Sequence, residues 1–154
     1  MGTVPPRLMA LSEQLMEVHQ ALRERLASLR SDATAIPDDL LSHCLSFCTA
    51  IHTHHTGEDR QLFPALRDAA PELAPVIDKL EEDHVLVAGI LGRLRDLLTA
   101  RPEPAALQRE LDGLTAILES HFSFEERRIA AALDTLGPEN QFPAVFRPCL
   151  QFPT

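Results

Sequence analysis

HHTGE at residues His54–Glu58 and HFSFE at residues His121–Glu125 each set a histidine four positions ahead of a glutamate. Four positions is slightly more than one turn of α-helix, so on a helix each pair projects from one face at adjacent heights and can close on one metal ion. Imidazole combined with carboxylate suits iron, manganese or zinc, whereas calcium and magnesium sites are built almost wholly of oxygen. One HxxxE is a common accident. Two of them, each continuing an apolar stripe and each followed by a second acid, Asp59 and Glu126, are a much rarer coincidence.

Working outward, four amphipathic segments carry these residues. Leu8, Leu11, Leu15, His19, Leu22, Leu26 and Leu29 fall at alternating steps of three and four, which predicts a first helix over about Pro6 to Arg30 with His19 in the seam. After a break at Ser31 to Pro37, Pro37 with Asp38 and Asp39 opens a second helix to about Leu66, acids in the first turn favouring the positive end of the dipole. Its stripe is Leu40, Cys44, Phe47 or Cys48, Ile51, His54 or His55, Glu58 and Leu62, and Pro64 is expected to kink or end it. Ile77, Leu80, His84, Val87, Leu91, Leu94 and Leu98 make the third; Leu107, Leu111, Leu114, Leu118, His121, Glu125 and Ile129 make the fourth, begun by Pro104 and stopped at Gly137-Pro138. Short connections then predict an all-α, antiparallel up-down-up-down four-helix bundle over residues 1–138. Residues 139–154, with Phe142, Phe146 and Phe152, are expected to pack across the bundle as irregular chain and to offer the one aromatic surface open to a protein partner.

Such packing brings the six residues to one height. Counted from the turn near Ala70, His54 and Glu58 lie sixteen and twelve residues back and His84 fourteen forward, all ~20 Å above the turn. Counted from Pro102, His84 lies eighteen back and His121 and Glu125 nineteen and twenty-three forward, a match to within about a turn and a half. His19 and His54 agree more loosely across their longer break. A lone buried histidine usually just finds a hydrogen-bond partner. Two carboxylates inside a leucine seam need a cation to offset their desolvation.

Composition narrows the function classes. A chain of 154 residues that is 45% hydrophobic builds one domain with a real core. Its net charge of −9, without a basic stripe, repels phosphate backbones and argues against nucleic acid. No apolar run approaches the ~20 residues of a membrane helix, and MGTVPPRLMA lacks the apolar core of a secretion signal, so the expected address is the cytoplasm. Cys44, Cys48 and Cys149 contain no CxxC; Cys44 and Cys48, at helical spacing, read as buried core residues. Trp and Tyr are absent, which removes a tyrosyl radical from any oxidative chemistry.

The secondary candidates are His55, at the edge of the inner face, and Glu81, one turn before His84, either of which could add a ligand or orient one. His43 and His52 fall off the stripe, and Asp59, Glu126, Arg127 and Arg128 read as solvent-facing charges.

At these positions the chain resembles the hemerythrin-like, or HHE cation-binding, family. That family's pattern is a lone histidine on helix one, HxxxE on helix two, a histidine on helix three, and HxxxE or HxxxxD on helix four. Here it reads His19, His54-Glu58, His84 and His121-Glu125, with GEDRQLFPAL and SFEERRI flanking the motifs. The resemblance implies a non-heme di-iron centre in which Glu58 and Glu125 bridge two irons and the histidines are terminal ligands, manganese or zinc being lesser alternatives. One departure stands out. Oxygen-carrying hemerythrins have a second histidine on helix three, one turn earlier, where this chain has Leu80; one turn later it has Ala88. Either His55 or Glu81 makes up the deficit, or one iron keeps an open or water-filled position.

Family members bind dioxygen, react with peroxide or nitric oxide, sense iron or oxygen, or oxidise substrates. Three expectations therefore stand side by side: a binder or sensor of dioxygen, nitric oxide or peroxide; an oxidase, peroxidase or oxygenase acting on a small substrate; and an iron-responsive interaction module.

Overall fold

The computed structural model describes residues 9–31, 37–137 and 142–148, which form helices and turns with no strand among them. Helices α1 (Leu11–Ser31) and α2 (Pro37–Gly57) are followed by a π-helical turn (Glu58–Leu62) that leads directly into α3 (Phe63–Ala69). A 3-10 turn at Pro71–Leu73 then opens α4 (Ala74–Thr99), which is followed by α5 (Pro104–Leu133) and the short α6 (Pro143–Phe146). No helix among the described residues is long and apolar enough to cross a membrane.

The stripes read from the sequence are the buried ones. Leu15, Leu22, Leu26 and Leu29 of α1, Cys44, Phe47, Cys48 and Ile51 of α2, Ile77 through Leu98 of the α4 stripe and Leu107 through Ile129 of the α5 stripe form one continuous core. Each fully buried leucine contributes about 1.5–3 kcal/mol relative to an exposed one, so the seams hold the helices together. Helix α1 packs on α5 and α2, and α4 packs on α5 and α2–α3. Polar ties mark the ends: Ser12 Oγ donates to Asp134 at 2.7 Å, and Arg30 Nε donates to Asp112 at 3.0 Å. Leu8, the Leu40 side chain, Pro138, Cys149 and Phe152 lie outside the described residues.

Three local expectations need correction. Pro64 does not end the second helix, which runs on to Ala69 through a π-helical turn. A proline lacks the N–H of the regular ladder and crowds the carbonyl four residues back, and the π turn just before it absorbs both effects. There the Phe63 N–H reaches back five residues to the Glu58 carbonyl, widening the turn ahead of Pro64. The fourth helix stops at Leu133, before Gly137, and closes through turn hydrogen bonds from Thr135 to Ala132 and from Leu136 to Leu133. The described part of the tail, residues 142–148, packs across the bundle as expected but is not wholly irregular, since Pro143–Phe146 is helical. Phe142 and Val145 are buried where α6 lies against α2 and the π turn.

Gly57 permits that contact. A Cβ there would stand 3.0 Å from Ala144 Cβ and Val145 Cγ2 and 3.1 Å from the Val145 nitrogen, closer than side chains normally approach.

Candidate metal centre

The helices bring His19, His54, Glu58, His84, His121 and Glu125 together in the core, and all six are buried, as is His55. Their inward atoms fall into two sets, each within 4.8 Å: His19, His54, Glu58 and Glu125 in one, and His55, Glu58, His84 and His121 in the other. Glu58 belongs to both. In the first set His19 Nε2 lies 3.1 Å from Glu125 Oε2 and 3.2 Å from His54 Nε2, and His54 Nε2 lies 3.6 Å from Glu58 Oε1. In the second, His84 Nε2 lies 3.2 Å from Glu58 Oε1, while His121 Nε2 lies 4.0 Å from Glu125 Oε2, across to the first set. The His55 ring stacks on that of His84, with centroids 3.9 Å apart, and meets His121 edge-on.

Outer partners set the orientation. His19 Nδ1 pairs with Glu126 at 2.7 Å, His84 Nδ1 with Asp59 at 2.7 Å, and His121 Nδ1 with Asp83 at 3.1 Å. His54 Nδ1 donates to the Val145 carbonyl at 2.6 Å. A proton held on Nδ1 leaves the Nε2 lone pair facing inward, the arrangement a ligating imidazole needs. Arg23 clasps Glu126 through both terminal nitrogens at 3.0 and 3.2 Å, and Lys79 holds Asp83, so two of the orienting acids are themselves fixed. Asp59 and Glu126 are thus not the free solvent-facing charges their positions suggest. Each acid sits next to a ligand in sequence (Glu58-Asp59, Asp83-His84, Glu125-Glu126), a signal the sequence does contain.

The family whose sequence model matches, the hemerythrin HHE cation binding domain, aligns with residues 10–133 and so with every one of these side chains. The chain belongs to the hemerythrin HHE cation-binding family. Neither a curated protein nor a solved structure matches it.

The donor set of this hemerythrin-family chain fits a cation on physical grounds. His55 Nε2, His84 Nε2, His121 Nε2 and all four carboxylate oxygens of Glu58 and Glu125 are buried without an aligned hydrogen-bond partner. Buried polar atoms are almost always paired, since each unmet one costs about 1–3 kcal/mol. Seven at one spot, all electron-pair donors, describe a socket for positive charge.

The electrostatics agree. Burial first, and then the neighbouring His19, push His54 down to about 3, so it stays neutral. Burial likewise holds His55 and His121 below the ordinary histidine value, with His84 adding to it at each. For His19 burial is outweighed by hydrogen bonds with Glu125 and Glu126, which raise it. Burial and the facing Glu125 carboxylate push Glu58 well above the usual carboxylate range. Glu125 is also opposed by burial, yet the Glu58 carboxyl and the His19 imidazole hold it low. Without a cation, Glu58 therefore keeps a proton that a metal would displace.

The structure also decides between the two secondary candidates. His55 is in the cluster, whereas Glu81 points away and pairs with Arg67 at 2.9 Å. Sequence left His55 ambiguous because neighbouring helical positions, about 100° apart, straddle the edge of the inner stripe. His52 is exposed and His43 half-buried, both outside the cluster.

Proposed function

We propose that this chain is a non-heme di-iron protein that binds or senses dioxygen, nitric oxide or peroxide. The supporting observation is the pair of four-donor sets sharing Glu58, each containing histidine nitrogens and carboxylate oxygen. On this reading the four long helical segments form an antiparallel up-down-up-down bundle over residues 1–138. His19, His54, Glu58 and Glu125 hold one ion; His55, Glu58, His84 and His121 hold the other. Glu58, common to both sets, would serve both ions, and Glu125, whose Oε2 lies 4.0 Å from His121 Nε2, could do so as well.

A ferrous pair bound there would supply electrons to a small ligand, reversibly in a carrier or sensor. The chain's own residues hold the imidazoles still through Glu126, Asp59, Asp83 and Val145, keep their protons on Nδ1, and exclude bulk water with the leucine seams. A cavity of about 170 Å³ beside His55 and His84, bordered by Ile51, Asp59 and Leu91, suits a ligand of few atoms better than a large organic substrate. The alternative is an oxidase, peroxidase or oxygenase acting on a small substrate. The iron-responsive interaction module is a further alternative; of its nominated aromatic surface, Phe142 is buried and Phe146 half-buried.

Elemental analysis of protein purified without added metal is expected to give about two irons per chain; one zinc, or two manganese, would overturn the iron assignment. Mixing the reduced protein with air should raise a visible band that fades under argon. Irreversible oxidation without such a band, or many turnovers with a reductant, would move the reading to the enzyme.

A further inference from the structure

Four of the five clustered histidines have Nδ1 partners, and one partner is unlike the rest. His19, His84 and His121 are held by side-chain carboxylates, each adjacent in sequence to a ligand. His54 is held by a backbone carbonyl ninety-one residues away, on α6, outside the stretch the family match covers. We propose that residues Phe142–Pro148 form a strap that completes the metal centre: the Val145 carbonyl positions His54, and Gly57 is the seat that lets the strap lie close enough to do so. This rests on the reading of the cluster as a metal site.

Three independent features carry it. The hydrogen bond is short, 2.6 Å, and wholly buried, so it fixes the ring's tautomer as well as its tilt. The strap is anchored beside it, Val145 being fully buried and Phe142 nearly so, with turn hydrogen bonds from Val145 and Phe146 back to the Phe142 carbonyl. Gly57 lies one turn along from His54 on the same helix, and its missing side chain is the space into which Ala144 and Val145 fit. Packing alone would not require the carbonyl to point at a ligand nitrogen.

The coupling must be reciprocal. If docking of the strap favours metal at His54, metal at His54 favours docking by the same factor. Loss of an outer partner typically costs 10–100-fold in metal affinity. That loss should fall on the His19–His54–Glu58–Glu125 set and spare the other, whose histidines use partners on α4 and the π turn.

The test titrates the full chain with cobalt(II) against a chromophoric chelator, comparing wild type with Gly57→Leu. A second variant ending at Gly137 removes the strap without introducing bulk. Wild type should bind two ions, and both variants should bind one with unchanged affinity and the other 10–100-fold more weakly. Hydrogen exchange at the Val145, Phe146 and Arg147 amides of wild type should slow when metal is added. Two ions bound at wild-type affinity by either folded variant overturns the strap while leaving the metal site intact. A wild type that binds no ion overturns the metal reading itself. Equal weakening of both ions in both variants would show a merely structural role and also refute the strap.

Discussion

Replacing Glu58 by Gln should reverse the stability ranking of wild type and variant according to whether metal is present. Glu58 is fully buried, both its oxygens lack aligned partners, and burial with the facing Glu125 keeps it protonated in the metal-free state. Gln has the same shape, carries no charge, and offers an N–H to Glu125. With each unmet buried group costing about 1–3 kcal/mol, metal-free Glu58→Gln should be between equal to wild type and about 2 kcal/mol more stable. Metal changes the sign. A ligand at one hundred times its Kd stabilises the folded state by about 2.7 kcal/mol, which for a chain this size raises Tm by about 5–10 °C. Glu58 is the donor common to both sets, so the amide should lose most of that rise. Thermal melts under nitrogen, with and without ferrous ion, give all four values. A metal-free variant several kcal/mol less stable than wild type, or one with the full metal-induced rise, would refute the reasoning.

His55→Leu should lower the metal content from two ions to one per chain, measured by elemental analysis, because only the His84–His121 set uses His55. Its metal-free form should melt no lower than wild type, since it loses an unpartnered buried nitrogen. The metal-free protein should weaken as pH falls below 6.5. Burial holds His54, His55 and His121 below that value, so the unfolded chain takes up protons that the native one refuses. Glu58, raised by burial, and His19, raised by its hydrogen bonds with Glu125 and Glu126, work the other way, but two groups oppose three; urea melts at pH 6.5, 6 and 5 that show rising stability would contradict this. Burial pushes the Cys44 thiol up to about 12 and Cys48 up to about 11, so neither should be alkylated by iodoacetamide at pH 8 in the native protein, as peptide mapping can establish.

The seams were legible because one period assigns the inner face of each helix, although Val18, Val76, Ile90 and Phe122 are buried beside the stripes so assigned. Ile77 to Leu98 and Leu107 to Ile129 are buried in the places a spacing of three and four assigns them. The six principal site residues were legible for a related reason. Rise per residue converts sequence distance into height, and short connections leave little freedom. Outer contacts were harder to read. Asp59 and Glu126 lie beside the stripe, where a charged residue can face water or bend back onto a ring, and periodicity does not distinguish the two. The π turn depends on hydrogen bonds five residues apart and has no hydrophobic signature of its own. The docking of α6 depends on a missing side chain at Gly57, and no count of apolar positions registers a gap.

The widened turn at Glu58–Leu62 also acts as a spacer in the rotational sense. Were the same residues wound at ordinary α pitch, everything downstream would turn by about 100°. Phe63 and Leu66, now wholly inside, would swing toward water while Glu58 stayed where it is. The bulge thus uncouples two demands on one continuous rod: upstream, it faces its donors into the pocket; downstream, it faces its greasy residues into the core. A regular helix of the same length could satisfy one of these, not both.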